Sequence, residues 1–342
     1  MLAKLEAEIP RGDGWTYEPK WDGFRAIVSA GDPDPDRIRF VSREDRPMMR
    51  FFPEVVSMLA ERPVAPYVAD GEIMLVRPGR LAFDELQLRL HPAASRVKKL
   101  AAETPATLIL FDLLEEDGED LRDLPLSERR DRLEALAKRL QAPHAPDRLE
   151  ELPPGPDLRL TPWTGDVEVA ERWFADEAGL GQDGIVAKRV DQAYMPGKRG
   201  WVKVKHRQTA DCVVGGYRVA KDGDGVGSLL LGLYDDEAHL HYVGHTSSFR
   251  AAERVAMREA LAPLEGGESF GGGREPGGPS RWSAGKDMTW VSLEPALVCE
   301  VSFDRMQYGR FRHAATFVRW RDDRTPRSCT FDQLGESAPD WG

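Results

Sequence analysis

The chain has few cysteines, no long apolar run and no excess of positive charge. Its 342 residues include three cysteines, none of them in a Cys-x-x-Cys pair, which argues against a disulfide framework and a structural zinc site. It contains no run of ~18 apolar residues and no apolar signal segment near its start, so a membrane-spanning or secreted protein is not expected. The net charge of −11 excludes a protein coated all over in basic side chains. We therefore expect a soluble cytoplasmic protein with no membrane partner.

The length favours two domains, and the residue pattern changes near residue 208. The first part alternates amphipathic helices, predicted at 52–62, 83–91, 127–140 and 167–178, with strand-like runs, predicted at 23–29, 37–42, 67–76, 107–114 and 184–189. The second part has short strands separated by turn residues, which is typical of an antiparallel meander closing into a small barrel. The sequence predicts an α+β domain over residues 1–208 and an all-β domain over residues 209–342.

The segment TYEPKWDGFRAIVS, which surrounds Lys20, carries the clearest chemical signal. A lysine between two strand-like runs, inside a cationic pocket, can lose its proton and attack a phosphorus atom. Gly23 lets the backbone and a ligand approach each other closely, and Arg25 supplies fork-shaped donors for ribose or phosphate. The alternative interpretation of this segment, taken alone, is a solvated surface lysine beside a turn.

Six further segments follow in order: SRED at 42–45, VADGEIM at 68–74, LILFDLL at 108–114, QDGIVAKR at 182–189, WVKVK at 201–205 and RWRDDRTP at 319–326. Together with the lysine segment they resemble the nucleotidyltransferase motifs of the ATP-dependent DNA ligases, over residues 18–326. The strings KWDGFR and WVKVK make the chain most similar to the small bacterial enzymes of the DNA ligase C and ligase D type. The resemblance implies a nucleotidyltransferase (adenylation) domain of antiparallel sheets with flanking helices, followed by a small OB-fold barrel.

The resemblance also implies the chemistry and the residues that perform it. The enzyme would use ATP and a divalent cation, Mg²⁺ or Mn²⁺, to seal nicks in duplex DNA through a lysyl–AMP intermediate, with a role in DNA repair. Lys20 would be the nucleophile, and Glu18 would lie where the backbone meets the adenine edge. Arg25 and Arg43 would hold ribose and phosphate, Glu72 and Asp183 would position the metal, and Phe111 would stack on adenine. The α-phosphate would be neutralised by Lys188, Lys203 and Lys205, and the leaving pyrophosphate would be oriented by Arg321, Asp323 and Arg324.

Two positions depart from the usual pattern of the family. Asp183 stands where glutamate is commoner, which shortens the carboxylate by one methylene. Arg324 stands where lysine is commoner, which keeps the charge but changes its shape. Neither departure changes the class of enzyme that the motifs indicate.

Two basic blocks stand out against the negative charge of the whole chain. Residues 186–208 contain seven Lys or Arg against one Asp, and residues 301–328 contain seven Arg against three Asp. In the first block, the alternation of Trp201, Lys203 and Lys205 places all three on one side of a strand. These blocks predict the surface that faces phosphate, with nicked duplex DNA as the partner.

We expect the chain to bind DNA with low affinity. Only 19 residues precede Lys20, too few for the helical DNA-binding domain of larger ligases, and the turn at 235–238 is too short to encircle a duplex. We therefore expect a minimal ligase that is recruited to the nucleoid by repair-protein partners.

Three other functions remain open from the sequence alone. An RNA capping guanylyltransferase shares the Lys-x-Asp-Gly-x-Arg pattern but takes GTP. An RNA ligase uses the same chemistry on another polymer. A catalytically inactive nucleic-acid-binding module is disfavoured because Lys20, Glu72, Lys203 and Lys205 are all present.

Overall fold

The computed structural model describes residues 1–146, 148–176, 184–206, 208–221, 223, 225–270, 276, 289–307 and 309–334. The chain forms two compact units, residues 1–206 and residues 207–342. Within the described ranges, no helix is both long and apolar enough to cross a bilayer.

The first unit is of mixed α and β structure. Its strands are β1 (Leu2–Glu6), β2 (Trp15–Pro19), β3 (Phe24–Ala30), β4 (Arg39–Ser42), β5 (Tyr67–Met74), β6 (Val76–Arg77), β7 (Arg80–Leu81), β8 (Thr107–Glu116), β9 (Glu119–Asp120), β10 (Asp157–Leu160), β11 (Ile185–Arg189) and β12 (Arg199–Val204). Its helices are α1 (Pro53–Ala60), α2 (Phe83–Gln87), α3 (Ala94–Glu103), α4 (Leu126–Arg139) and α5 (Val167–Asp176).

Two sheets of this unit meet at the lysine segment. One sheet has the strand order β1-β12-β11-β2, and the other has the order β10-β8-β5-β3-β4 with β9 paired to β8. Because β2 belongs to the first sheet and β3 to the second, the four residues between them lead the chain from one sheet to the other. The main core lies on the second sheet, where apolar residues of α1, α2 and α4 pack against β3, β5 and β8.

Every strand and helix predicted in the first part overlaps an observed element, with three differences. Helix α2 ends at Gln87, not at residue 91, because Arg89 turns inward to donate to Phe51 O at 2.7 Å and pair with Glu54 at 2.8 Å. Helix α3 and the strands β1, β7, β9 and β10 were not predicted. The last two residues predicted for α5 lie outside the described part of the chain.

The second unit is mainly β structure with one α-helix among its described residues. Its elements are β13 (Gln208–Val219), β14 (Val226–Tyr234), β15 (Leu240–Thr246), α6 (Ala251–Leu261), β16 (Val291–Ser292), β17 (Val298–Phe303), β18 (Met306–Gln307), β19 (Arg310–Phe311) and β20 (Thr316–Trp320).

The principal sheet of this unit is antiparallel. Its order is β15-β14-β13-β17-β20, and β16 pairs with β13. The predicted closure is found only in part among the described residues, where Ala315 N, just before β20, donates to His245 O of β15 at 2.9 Å. Such partial closure is normal for a five-stranded OB-fold. Its interior is filled by buried aliphatic and aromatic side chains of β13, β14, β15 and β17.

Candidate active site

Lys20 lies at the junction of the two sheets of the first unit. It follows β2 directly, and its backbone N–H donates to Gly184 O at 2.8 Å. The next residue, Trp21, is buried and donates from its indole Nε1 to Thr161 Oγ1 at 2.9 Å. Asp22 is also buried. The backbone on both sides of the lysine is therefore fixed by hydrogen bonds and packing rather than left as a free loop.

At two glycines beside Lys20, the backbone lies very close to the backbone of a neighbouring strand. A Cβ at Gly23 would lie 2.2 Å from Ile73 O, and a Cβ at Gly184 would lie 1.9 Å from Val204 O. Gly184 also has a φ of +130°, a conformation that side-chain-bearing residues rarely adopt. The glycine of the lysine segment and that of the QDGIVAKR segment thus both meet a backbone carbonyl of a neighbouring strand.

Glu18 and Lys188 form a buried ion pair beneath two aromatic rings. Lys188 Nζ lies 2.7 Å from Glu18 Oε2, and both residues are almost fully buried. The same ammonium group lies 4.8 Å from the ring centre of Phe111 and 4.5 Å from that of Trp201. Burial raises the pKa of the Glu18 carboxyl, and the charge of Lys188 opposes that rise. This pair satisfies only one of the two carboxylate oxygens.

The second oxygen of Glu18, Oε1, is buried and has no hydrogen-bond partner among the described residues. A buried acceptor without a donor is costly, so such a group in a folded protein requires an explanation. A ligand that brings an N–H or O–H donor to this point would satisfy it. Glu18 is thus placed to hold a donor-bearing edge of a ligand.

Arg25 is engaged by protein acceptors on every nitrogen. Its Nε donates to Asp70 Oδ1 at 2.9 Å, its Nη2 donates to Asp70 Oδ2 at 2.5 Å and to Tyr194 Oη at 3.1 Å, and its Nη1 donates to Met1 O. Tyr194 in turn donates to Asp70 Oδ2 at 2.9 Å. The Arg25 guanidinium lies 5.2 Å from the ring centre of Trp201. This network holds β3, β5 and the segment before β12 together beside the lysine.

The Glu72 carboxyl interacts electrostatically with Lys20. It lies on β5 opposite Arg25, and Gly23 N donates to its Oε1 at 3.1 Å. Burial raises the pKa of Glu72 to about 8, the positive charge of Lys20 opposes that rise, and the negative charge of Asp22 adds to it. A carboxyl group with this pKa is largely protonated at neutral pH, and a cation must displace its proton to bind there.

The protein donors suit a cation that is shared with phosphate. Among the described residues there is no cluster of three or more His, Cys, Asp or Glu that could enclose a metal ion. Mg²⁺ is commonly held by one or two carboxylates together with substrate phosphates and water. Glu72 fits that kind of site, and Asp183, the other predicted ligand, lies outside the described residues. A bound divalent ion would supply charge neutralisation at the phosphates.

The titration of Glu72 gives a testable pH dependence. The pKa of its carboxyl is about 8 in the folded chain, so raising the pH from 7 to 9 is expected to lower the half-saturating Mg²⁺ concentration at this site about tenfold. Because the pKa of Glu72 rises from the ordinary 4.5 to about 8 on folding, the free energy of unfolding falls as the pH rises from 4.5 towards 8. Glu72→Gln should therefore raise Tm at pH 8 and abolish the pH dependence of the Mg²⁺ requirement. A wild-type Mg²⁺ requirement that is the same at pH 7 and pH 9 would remove Glu72 from the metal site.

The remaining predicted residues of the first unit occupy different settings. Lys203, half-buried on β12, lies opposite Val186 of β11, and Lys205 follows just beyond the end of β12. Arg43 is exposed directly after β4. The contacts and charges described above bring together Glu18, Lys20, Arg25, Glu72, Phe111 and Lys188.

The two arginines predicted in the second unit share one carboxylate of that unit as their partner. Arg321 and Arg324 both bind the side chain of Asp211 on β13, at 2.9 Å and 3.0 Å. Arg321 also binds Asp323 through two hydrogen bonds of 2.8 Å. No role was predicted for Asp211, nor for Asp70 and Tyr194 of the first unit. An acidic residue within an apolar strand run, as in ADCVV, is the signal that could have found Asp211.

Comparisons with known proteins identify the family. Residues 1–205 match the model of the ATP dependent DNA ligase domain, and residues 222–324 match that of the ATP dependent DNA ligase C terminal region. The chain is 46% identical to DNA ligase C2 of Mycolicibacterium smegmatis over 98% of this chain and 93% of that protein. It is 44% identical to DNA ligase C of Mycobacterium tuberculosis over 98% of this chain and 92% of that protein.

A solved structure supports the fold independently. A Lig E DNA ligase, described as binding DNA with a minimal scaffold, superposes with a TM-score of 0.56 at 17% identity, over 94% of this chain and 98% of that chain. The predicted fold class, an adenylation domain followed by an OB-fold, is confirmed, as is the resemblance to the small bacterial ligases. The chain belongs to the family of ATP-dependent DNA ligases.

Proposed function

We propose that this chain seals 3′-hydroxyl/5′-phosphate nicks in duplex DNA, in DNA repair, with Lys20 as the nucleophile that carries AMP. The observation that supports the proposal best is the setting of Lys20, which the hydrogen bond to Gly184 O fixes between two sheets beside the Glu72 carboxyl. The family supports the reaction class, and this setting supports Lys20 as the residue that reacts.

Three displacements at phosphorus would make up the reaction. The Lys20 amine attacks the α-phosphorus of ATP, an N–P bond forms, and the P–O bond to pyrophosphate breaks. The 5′-phosphate at the nick then takes the AMP and releases the lysine. Finally the 3′-hydroxyl attacks the activated phosphate, its proton is lost, and AMP leaves. Each step depends on alignment and charge neutralisation more than on covalent help from the protein.

We assign the neighbouring residues by the chemistry that they offer. Phe111 offers a ring for stacking on the base, and Lys188, Lys203 and Lys205 offer positive charge to the α-phosphate. Arg25 and Arg43 would act at the ribose and phosphate, Arg25 through the network that orders β3 and β5. Glu72 and Asp183 would hold the divalent cation, and Arg321, Asp323 and Arg324 would serve the leaving pyrophosphate.

The unpaired oxygen of Glu18 supports ATP over GTP. Adenine carries an exocyclic amino group that can donate to Glu18 Oε1, whereas guanine presents a carbonyl oxygen at the same position and would face the carboxylate unfavourably. We therefore expect a Glu18→Gln variant to lose at least about tenfold in its preference for ATP over GTP, because an amide can donate as well as accept. The measurement is kcat/KM for self-labelling with each nucleotide. If the ratio of kcat/KM for ATP to that for GTP were unchanged, the base would not contact Glu18.

Labelling and sealing assays test the proposal directly. Protein incubated with α-labelled ATP and Mg²⁺ should acquire an acid-labile label, and GTP should give none. A nicked duplex should then be sealed, with DNA and RNA strands varied separately on each side of the nick. Label from GTP would indicate a capping guanylyltransferase, and sealing restricted to RNA would indicate an RNA ligase.

We also propose that the purified chain binds nicks weakly and acts at the nucleoid with a repair-protein partner. The connection between β14 and β15 spans only residues 235–239, too short to wrap a duplex. Affinity for a nicked duplex should therefore be weaker than nanomolar at physiological salt. Nanomolar affinity of the chain alone would argue against the need for a partner.

A further inference from the structure

Asp211 joins the two arginines that were predicted to serve the pyrophosphate. Arg321 Nη1 donates to Asp211 Oδ1 at 2.9 Å and to Oδ2 at 3.1 Å, and Arg324 Nε donates to Oδ2 at 3.0 Å. The Asp211 side chain is only 10% exposed. Two guanidinium groups this close to each other repel, and a negative charge between them offsets that repulsion.

The position of Asp211 is fixed by its backbone. Gln333 accepts from Asp211 N at 2.8 Å through Oε1 and donates to Asp211 O at 3.1 Å through Nε2. On the neighbouring strand, Asp211 pairs in register with Glu300 of β17, whose carboxylate lies 3.7 Å from Arg321 Nη1. The carboxylate is thus held at a defined place on the sheet before any ligand binds.

The two arginines differ in how many of their N–H donors are already used within the protein. Arg321 has all three nitrogens engaged by Asp211 and Asp323, and its side chain is 16% exposed. Arg324 makes one side-chain hydrogen bond within the described part of the chain, from Nε, and its side chain is 39% exposed. The edge formed by Nη1 and Nη2 of Arg324 is a donor pair that matches two phosphate oxygens.

We propose that Asp211 is a positioning residue, and that of the two arginines only Arg324 contacts the β,γ-phosphates. Asp211 orients the guanidinium of Arg324, and Arg321 holds Asp211 in place. Asp323 binds the Nε and Nη2 donors of Arg321, which Asp211 does not use. The proposal rests on the proposed function. Both arginines were predicted to serve the pyrophosphate, whereas here Arg324 contacts it and Arg321 supports Asp211. It also accounts for arginine at a position where lysine is commoner, because a guanidinium can bind Asp211 through Nε and present two parallel donors to phosphate in the same plane.

The reverse of the first step tests the proposal without DNA. Purified protein–AMP is mixed with pyrophosphate, whose oxygen attacks the α-phosphorus, breaks the Lys20 N–P bond and regenerates ATP. The half-saturating pyrophosphate concentration and the maximal rate are measured separately. Asp211→Asn and Arg324→Ala should each raise the half-saturating concentration at least about tenfold. Asp322→Asn, an exposed neighbour outside this network, is the matched control and should change it less than about twofold.

A second assay separates positioning from folding. In sealing of a nick supplied already adenylylated, no pyrophosphate takes part, so Asp211→Asn and Arg324→Ala should stay within about twofold of wild type. Equal losses in both assays would show that Asp211 serves the fold or the DNA, and would overturn the proposal. A larger effect of Arg321→Ala than of Arg324→Ala on the pyrophosphate requirement would overturn the division between the arginines. Wild-type protein that acquires no AMP at Lys20 would instead overturn the proposed function itself.

Discussion

Lys20→Ala and Lys20→Arg should both abolish self-labelling by ATP and the sealing that depends on it, by at least about 10⁴-fold. Alanine has no nucleophile, and arginine keeps its positive charge at any working pH, so its nitrogen has no lone pair to form an N–P bond. The arginine variant separates nucleophilicity from charge, because it keeps a cation beside Glu72. The measurement is transfer of α-labelled AMP to the protein, followed by sealing of a nicked duplex.

The third step provides the internal control for these variants. Lys20 forms no bond when the 3′-hydroxyl attacks an activated nick, so both variants should retain sealing of a pre-adenylylated nick to a measurable extent. Lys4→Ala is the matched lysine control, because Lys4 is exposed on β1 and forms a surface ion pair with Glu6. Label that persists in Lys20→Ala would move the nucleophile to another lysine and would contradict the assignment.

Most of the sheet framework could be predicted because each strand carries its own pattern of buried residues. The runs at β3, β5, β8 and β11 are apolar enough to be recognised without knowing their neighbours. Helix α3 was missed because it has only two fully buried side chains, Val97 and Ala101, and three exposed cations among its ten residues. Its stability comes from packing on the rest of the unit, which no local pattern reveals.

The site was predictable in its motifs but not in its pairings. The resemblance named Arg25, Arg321 and Arg324, but it did not show that each has a carboxylate of its own unit as partner. Asp70 lies 45 residues from Arg25 along the chain, and Asp211 lies 110 residues from Arg321. Such pairs depend on strand register, which a single sequence does not specify. The pKa of Glu72 could not be predicted either, because it follows from burial.

Gly184→Ala is expected to damage both the fold and the catalytic lysine. A Cβ at this position would lie 1.9 Å from Val204 O, and the φ of +130° is unfavourable for alanine. To relieve the clash, β11 must move away from β12, and Gly184 O must then move relative to the Lys20 N–H that it accepts at 2.8 Å. We expect a loss of about 3–5 kcal/mol in the free energy of unfolding and a fall of at least about 100-fold in the rate of self-labelling.

Gly197→Ala separates the clash from the cost of the backbone conformation. Gly197 also has a positive φ, +73°, but a Cβ there would meet nothing within 4 Å. It should cost about 1 kcal/mol in stability and leave self-labelling within about twofold of wild type. Denaturant unfolding gives the stability change, and labelling is measured at a temperature where both variants remain folded. If Gly184→Ala behaved like Gly197→Ala in both measurements, the contact with Val204 O would be relieved without moving Lys20. The backbone of the QDGIVAKR segment would then not be what positions the nucleophile.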